Sequence, residues 1–180
     1  MTKFVALFRG INVGKAKRIA MADLRALLES LGYGGVRTLL NSGNAVFSAP
    51  DAPQARHAQA IQEAVRSQLG VDALVVVKSA KDMAAVVAGN PLIEHADDAS
   101  RLLVALTSHA QALAAVDSLA QADWGPEKLH VGQHAAYVWC ANGILESKLA
   151  VALLKELAAG GTTRNWATVE KIHALLQNDV

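Results

Sequence analysis

A chain of 180 residues has the length of one domain or of two small packed ones. Its hydrophobic share of 52% supports a sizeable core, and with aromatics at 4% that core must be mostly aliphatic. A formal net charge of +1 argues against a generic nucleic-acid or anionic-membrane surface, one cysteine excludes an internal disulfide or a cysteine-built zinc site, and no run approaches the roughly 18 apolar residues of a membrane span.

Phe4 to Phe8 is a continuous apolar run ended by Arg9-Gly10, the pattern of a central strand buried on both faces. Met21 to Leu31 repeats its apolar residues at helical spacing (Met21, Leu24, Leu27, Leu28, Leu31), with Gly32 as the stop. Val36–Leu40 and Ala45–Ala49 read as strands joined by Asn41-Ser42-Gly43-Asn44, where Gly43 supplies the positive φ of a hairpin turn. Pro53 to Leu69 reads as a helix capped by Asp51 and stopped by Gly70, and Leu74–Val77 as a fourth strand. The order is β-α-β-β-α-β, which is the ferredoxin-like pattern.

Ser79–Ala88 reads as a short connecting helix, capped by Ser79 with Asp82 at its third position, and a polar loop follows over 89–100. The second half repeats the order less regularly. It has a strand at Leu102–Leu106, a helix at Ala110–Ala120, a hairpin of Lys128–Val131 with Ala136–Cys140, and a helix at Ile144–Ala158 striped by Leu145, Leu149, Ala152, Leu153 and Leu157. A short strand fits the glycine–threonine segment after Gly160-Gly161, and a last helix runs to about Leu176. The expected fold is therefore α+β, two ferredoxin-like halves. The first covers residues 1–78, the connecting helix and loop 79–100, and the second half with the C-terminal helix 101–180.

Three polar motifs stand at element edges. Arg9-Gly10-Ile11-Asn12-Val13-Gly14 leaves the first strand, and Lys15, Lys17 and Arg18 follow it. A glycine–asparagine loop lets backbone N–H groups converge on an anion, although the same residues build ordinary turns. The Gly10–Lys15 spacing is one residue short for a phosphate-binding P-loop, and Ala16 stands where a magnesium-binding hydroxyl is needed, so that reading is rejected. In Asn41-Ser42-Gly43-Asn44, Ser42 and Asn44 either bond their own turn or contact a ligand, and Ser42 has no identifiable base to make it a nucleophile. In Thr162-Thr163-Arg164-Asn165, threonine or asparagine caps the last helix, and the N–H groups of that helix start together with Arg164 suit phosphate or carboxylate. The alternative there is a cap with a packing tryptophan.

The remaining residues read plainly. Cys140 is a buried thiol, and Trp124, Trp139 and Trp166 are core or packing residues. His57, His95, His109 and His173 are solvated surface residues, and Asp97-Asp98 is an exposed loop pair. His130 and His134 flank Gly132 in a hairpin, where i,i+4 residues do not converge, so no metal site is expected. No cofactor fingerprint is present, and no run matches the RNA-recognition signature.

The segments Ala6–Gly14, Met21–Arg25, Asn41–Phe47, Asn90–Leu92 and Thr162–Val169, in this order, resemble the bacterial "domain of unknown function 1697" family. The resemblance spans nearly the whole chain. It implies an α+β protein with a duplicated ferredoxin-like arrangement and implies no particular activity. Members of that family often carry glycine at the position of Lys15 and proline near Ala20, so a mechanism resting on Lys15 is weakened, and Arg9, Asn12, Gly14 and Thr162–Asn165 carry more weight.

The expectation is a small anionic ligand, phosphorylated or carboxylated, held where the Arg9–Gly14 loop meets the Thr162–Asn165 helix start. Arg9, Gly10, Asn12, Gly14, Ser42, Asn44, Thr162, Thr163, Arg164 and Asn165 are the candidate contacts. Whether the protein is an enzyme stays open. One alternative is a nucleic-acid-associated module using Lys15-Ala16-Lys17-Arg18, and another is a structural protein with no ligand. No membrane partner is expected, the sequence is silent on oligomeric state, and the cytoplasm is the expected compartment.

Overall fold

The structure, a computed structural model, describes residues 1–178. The first half contains β1 (Thr2–Arg9), α1 (Met21–Ser30), β2 (Gly34–Leu39), β3 (Asn44–Ala49), α2 (Gln54–Leu69) and β4 (Leu74–Ser79). Its sheet is antiparallel in the order β2-β3-β1-β4. The apolar run Phe4–Phe8 thus lies in an interior strand and is buried throughout. Phe4, Ala6 and Phe8 face the helices, where Leu24 and Leu28 of α1 and Ile61 and Val65 of α2 close the core. Each such side chain taken out of water contributes about 1.5–3 kcal/mol.

After α3 (Ala80–Ala88) and a 3-10 helix over Ile93–Asp98, the second half contains β5 (Leu102–Thr107), α4 (Ala110–Ala115), β6 (Lys128–Val131), β7 (Ala136–Trp139), α5 (Lys148–Leu157) and β8 (Gly161–Asn165), and α6 (Trp166–Gln177) follows. Its sheet runs β6-β7-β5-β8, the same order as the first. Both halves are ferredoxin-like, so the fold is α+β and duplicated. Leu103, Ala105, Ala136 and Val138 face α4 and α5, where Leu113, Leu149 and Leu153 complete a second core. By contacts the chain divides into Met1–Lys81 with the residues from Ile172 on, and Asp82–Lys171. The first division, within α3, falls inside the 79–100 connection of the sequence reading, whereas the second, within α6, puts the chain's last residues with the first unit rather than with the second half.

Several local expectations are corrected. Pro53, not Asp51, occupies the N-cap of α2, and no side chain caps that helix. Ser79, by contrast, ends β4 and stands directly before α3, the position of the cap expected of it, with Asp82 third in the helix. The helix expected over Ala110–Ala120 tightens to 3-10 geometry at Val116–Gln121. The helix expected from Ile144 starts at Lys148, because Ser147 caps it through Ala150 N–H (2.9 Å) and itself donates to the Glu127 carboxylate. Leu145 is consequently left outside the stripe, 98% exposed. The polar stretch 89–100 holds a 3-10 helix that includes Asp97-Asp98, with Asp98 paired to Arg101 at 3.0 Å.

Candidate functional site

The loop after β1 turns through four left-handed residues, Gly10 (φ 73°), Asn12 (55°), Gly14 (63°) and Lys17 (52°). Asparagine tolerates this region better than other side chains, and here its amide explains why it is used. Asn12 Nδ2 donates to Ile19 O (2.9 Å) and to Asn41 O (2.8 Å), and Asn12 Oδ1 accepts from Ile19 N (2.8 Å). The backbone N–H of Asn12 donates to Lys17 O at 3.0 Å. One side chain therefore closes the loop base and ties it to the β2–β3 turn. Ile11 and Ile19 bury their side chains on either side of this clasp.

The exposed tip, Val13 to Arg18, stands on that base. Arg18 Nη1 bends back to Gly14 O (3.2 Å) and Asn12 O (3.4 Å), which brings its charge to the loop mouth. Among the described residues, no backbone acceptor takes the N–H groups of Val13, Gly14 and Lys15. Asn12, Arg18, Ile19, Ala20 and Asn41 line a cavity of about 260 Å³ at this point. Arg9 ends β1 opposite Leu74 and is half-buried.

The neighbouring turn is built tightly. Asn44 is buried, and its Nδ2 donates to Leu39 O (2.8 Å) and Ser42 Oγ (3.2 Å). Gly43 (φ 91°) receives Phe8 N–H on its carbonyl at 2.9 Å, and a Cβ placed there would lie 2.6 Å from Ile11 Cδ1. The turn is thus pressed against the loop base, and only glycine meets both the dihedral and the space.

The short strand expected at the glycine–threonine segment is β8, and Asn165 is the cap of α6, accepting Thr168 N–H at 2.9 Å. Thr162, Thr163 and Arg164 therefore lie in that strand and not at the helix start where a ligand contact was expected of them. Arg164 pairs with Val104 and Thr162 with Leu106, so both project from the sheet face away from α4 and α5. Arg164 is 7% exposed, its Nη1 donates to Thr162 Oγ1 (3.0 Å) and Thr163 O (2.8 Å), and burial pulls its guanidinium down to about 10. Thr162 is buried as well.

The histidines expected at the surface divide. His57 is buried in a ring cluster with Phe4, Tyr33 and Phe47, sharing a 3.0 Å hydrogen bond with the Tyr33 hydroxyl. Its signal was present in the sequence, since His57, Ile61 and Val65 lie on one stripe of α2. Burial raises the Tyr33 pKa. His95 stacks on Trp139 at 4.4 Å, His173 is half-buried, and His109 is exposed but caps α4 by accepting Ala112 N–H at 3.1 Å. Cys140 is fully buried, and burial pushes its thiol up.

Residues 1–137 match the family described as "Protein of unknown function (DUF1697)". The chain belongs to this family. For this DUF1697 protein the match takes in the loop and the 41–44 turn and ends before Thr162. It is similar in fold to the conserved bacterial protein SP0830 from Streptococcus pneumoniae, with a TM-score of 0.77, 21% identity, and coverage of 98% of this chain and 99% of that one. A second solved structure, protein BT0572 from Bacteroides thetaiotaomicron, aligns over 94% of this chain and 96% of its own at 10% identity, with a TM-score of 0.22. No curated protein matches the chain. Among the described residues, no helix is long and apolar enough to cross a membrane.

Proposed function

We propose that this protein binds a small phosphorylated or carboxylated ligand at the loop after β1, beside the β2–β3 turn. The observation that carries the reading is the pinned basic loop. Lys15, Lys17 and Arg18 stand exposed in the loop, and Arg18 lines a cavity with Asn12 and Asn41, on a base that the Asn12 amide holds closed. The sequence supports it, since residues 1–22 contain Lys3, Arg9, Lys15, Lys17 and Arg18 and no acid, while the whole chain is only +1. N–H groups of Val13, Gly14 and Lys15 that find no backbone acceptor among the described residues offer fixed partial charge without the entropy cost of ordering side chains. Arg18 supplies a planar donor for an oxyanion, and Lys15 and Lys17 supply charge at the rim. Arg164 and Thr162 satisfy one another within the second unit and are assigned no ligand contact in this reading.

The test is a thermal-shift screen of the wild type and of Lys15→Ala/Lys17→Ala against inorganic phosphate, pyrophosphate, sugar phosphates, small carboxylates and single-stranded oligonucleotides. Ligand at 100 times its dissociation constant should add about 2.7 kcal/mol. A small-anion shift that shrinks in the double variant supports the reading. A response to oligonucleotides only, falling steeply with salt, replaces it with a nucleic-acid module. No shift with any probe favours the reading in which these motifs serve only turns and caps.

A further inference from the structure

We infer that the ligand of the loop after β1 is a nucleoside phosphate, its phosphate at the basic loop and its base laid against Val13 and Leu40, an assignment that rests on the anion site proposed at that loop. The cavity there measures about 260 Å³. Sites that enclose a small ligand run to roughly 300–1,000 Å³, so a ligand anchored here by its anionic end continues over the rim. Asn12 and Asn41 line the cavity from two segments, joined at 2.8 Å through Asn12 Nδ2 and Asn41 O. Val13 and Leu40 are their immediate neighbours, one on each segment.

Exposed apolar surface and backbone strain both gather at this rim. Among the described residues of the first unit, Met1, Val13 and Leu40 are the exposed large apolar side chains, Val13 at 72% and Leu40 at 48%. Among the same residues, Lys17 (φ 52°) and Leu40 (φ 60°) are the ones that hold left-handed dihedrals without being glycine or asparagine. Asparagine or glycine would suit both positions better, as Asn12 does at φ 55°. An exposed leucine in this conformation is costly to its own turn, and such strain collects where a chain contacts a ligand. Lys17 supplies charge and Leu40 apolar area, the two characters of a nucleotide. A flat base covers two branched side chains without freezing internal rotors, which an acyl tail would have to do. The exposed Asn41 side chain lines the cavity and has no hydrogen bond to another described residue, so its amide offers a donor and an acceptor to the edge of the base. No Asp or Glu occurs in residues 1–22 or 30–50, so neither segment brings a carboxylate against the phosphate.

The experiment is an amide NMR titration of the full chain with the common ribonucleoside monophosphates, with ribose phosphate and the bare nucleosides as partial probes and pyrophosphate as the anion control. Saturable shifts at Val13, Gly14, Leu40 and Asn41 are expected, with at least one nucleotide binding about tenfold more tightly than ribose phosphate. Leu40→Asn keeps a residue that accepts φ 60°, so its dispersed amide spectrum should persist. That variant should raise the nucleotide's dissociation constant about tenfold, to the level of ribose phosphate, and leave ribose phosphate within about twofold of its own value. Lys15→Ala/Lys17→Ala should weaken nucleotide and ribose phosphate alike. Two results would overturn the nucleotide assignment and leave the anion site standing. One is ribose phosphate or pyrophosphate saturating at the loop with no nucleotide binding more tightly than ribose phosphate, and the other is a nucleotide advantage that survives in both Leu40→Asn and Val13→Ser. Nucleosides that bind as tightly as their phosphates, or no saturable shift with any of these probes, would overturn both.

Discussion

Replacing Asn12 tests whether the loop is held by one side chain. Its amide makes three hydrogen bonds, two donated to Ile19 O and Asn41 O and one accepted from Ile19 N, at 2.8 to 2.9 Å. A net contribution of about 0.5–1.5 kcal/mol per bond, taken near the low end because Asn12 is only half-buried, gives about 2 kcal/mol for Asn12→Gly. Glycine accepts φ 55° without penalty, so this variant isolates the bonds. Asn12→Ala adds the left-handed penalty of about 1 kcal/mol, for about 3 kcal/mol in all. Urea denaturation reads the global part, and hydrogen exchange reads the local part at one amide. Ile19 N–H gives its hydrogen to Asn12 Oδ1 and should lose protection in both variants, ahead of the Phe4–Phe8 amides of β1. Asn12→Gly within about 0.5 kcal/mol of wild type, with Ile19 still protected, would refute the clasp.

Gly43→Ala should cost about 3 kcal/mol in urea denaturation, because it combines left-handed strain with a Cβ 2.6 Å from Ile11 Cδ1 and 2.8 Å from Phe8 Cβ. Tyr137 donates to Val86 O at 2.5 Å, and burial pushes its hydroxyl up to about 12. The folded state therefore keeps a proton that the unfolded chain releases near pH 10, so this residue's stability is present below pH 10 and is lost as pH rises to about 12. Tyr137→Phe should be about 1 kcal/mol less stable at pH 7, with a fall between pH 10 and 12 shallower by about 2 kcal/mol in pH-dependent denaturation. Arg164→Ala should cost about 2–3 kcal/mol, because it removes charge-assisted bonds to Thr162 Oγ1 and Thr163 O, while any pyrophosphate response at the loop stays in place. A calorimetric comparison of the two proteins with and without pyrophosphate reads both effects.

The fold was legible where pattern and packing coincide. Phe4–Phe8 and Leu102–Leu106 are continuous apolar runs, and both proved interior strands of sheets with matching order. The β-α-β-β-α-β succession carried the duplicated ferredoxin-like arrangement because each half must cover one sheet face with its two helices. Helix ends were less legible, since side-chain geometry decides them. Leu145 has helical spacing to Leu149, yet the Ser147 cap and its Glu127 partner start α5 after it. Glu127 is 20 residues away from Ser147 in sequence, and no local window contains it. The loop stood out by its glycines and asparagines, but the structural part of Asn12, whose amide bonds Ile19 in the loop and Asn41 in the β2–β3 turn, shows only once the two segments are side by side. A short strand was expected after Gly160-Gly161, but Arg164 was assigned to the helix start beyond it, and the alternation of Thr162 and Arg164 against Leu106 and Val104 appears only once β5 is beside it. Arg18, which lines the cavity, was noted only as part of a basic run.

The measurement that bears most directly on the anion-binding proposal is an amide NMR titration of the wild-type protein with inorganic pyrophosphate at low ionic strength. The account predicts saturable shifts that are largest at Val13, Gly14, Lys15 and Asn41, around the cavity beside the Asn12 clasp. Shifts that are small, unsaturable and spread over exposed lysines and arginines elsewhere would contradict it, and would leave the loop as a turn that is stiff for the sake of the fold alone.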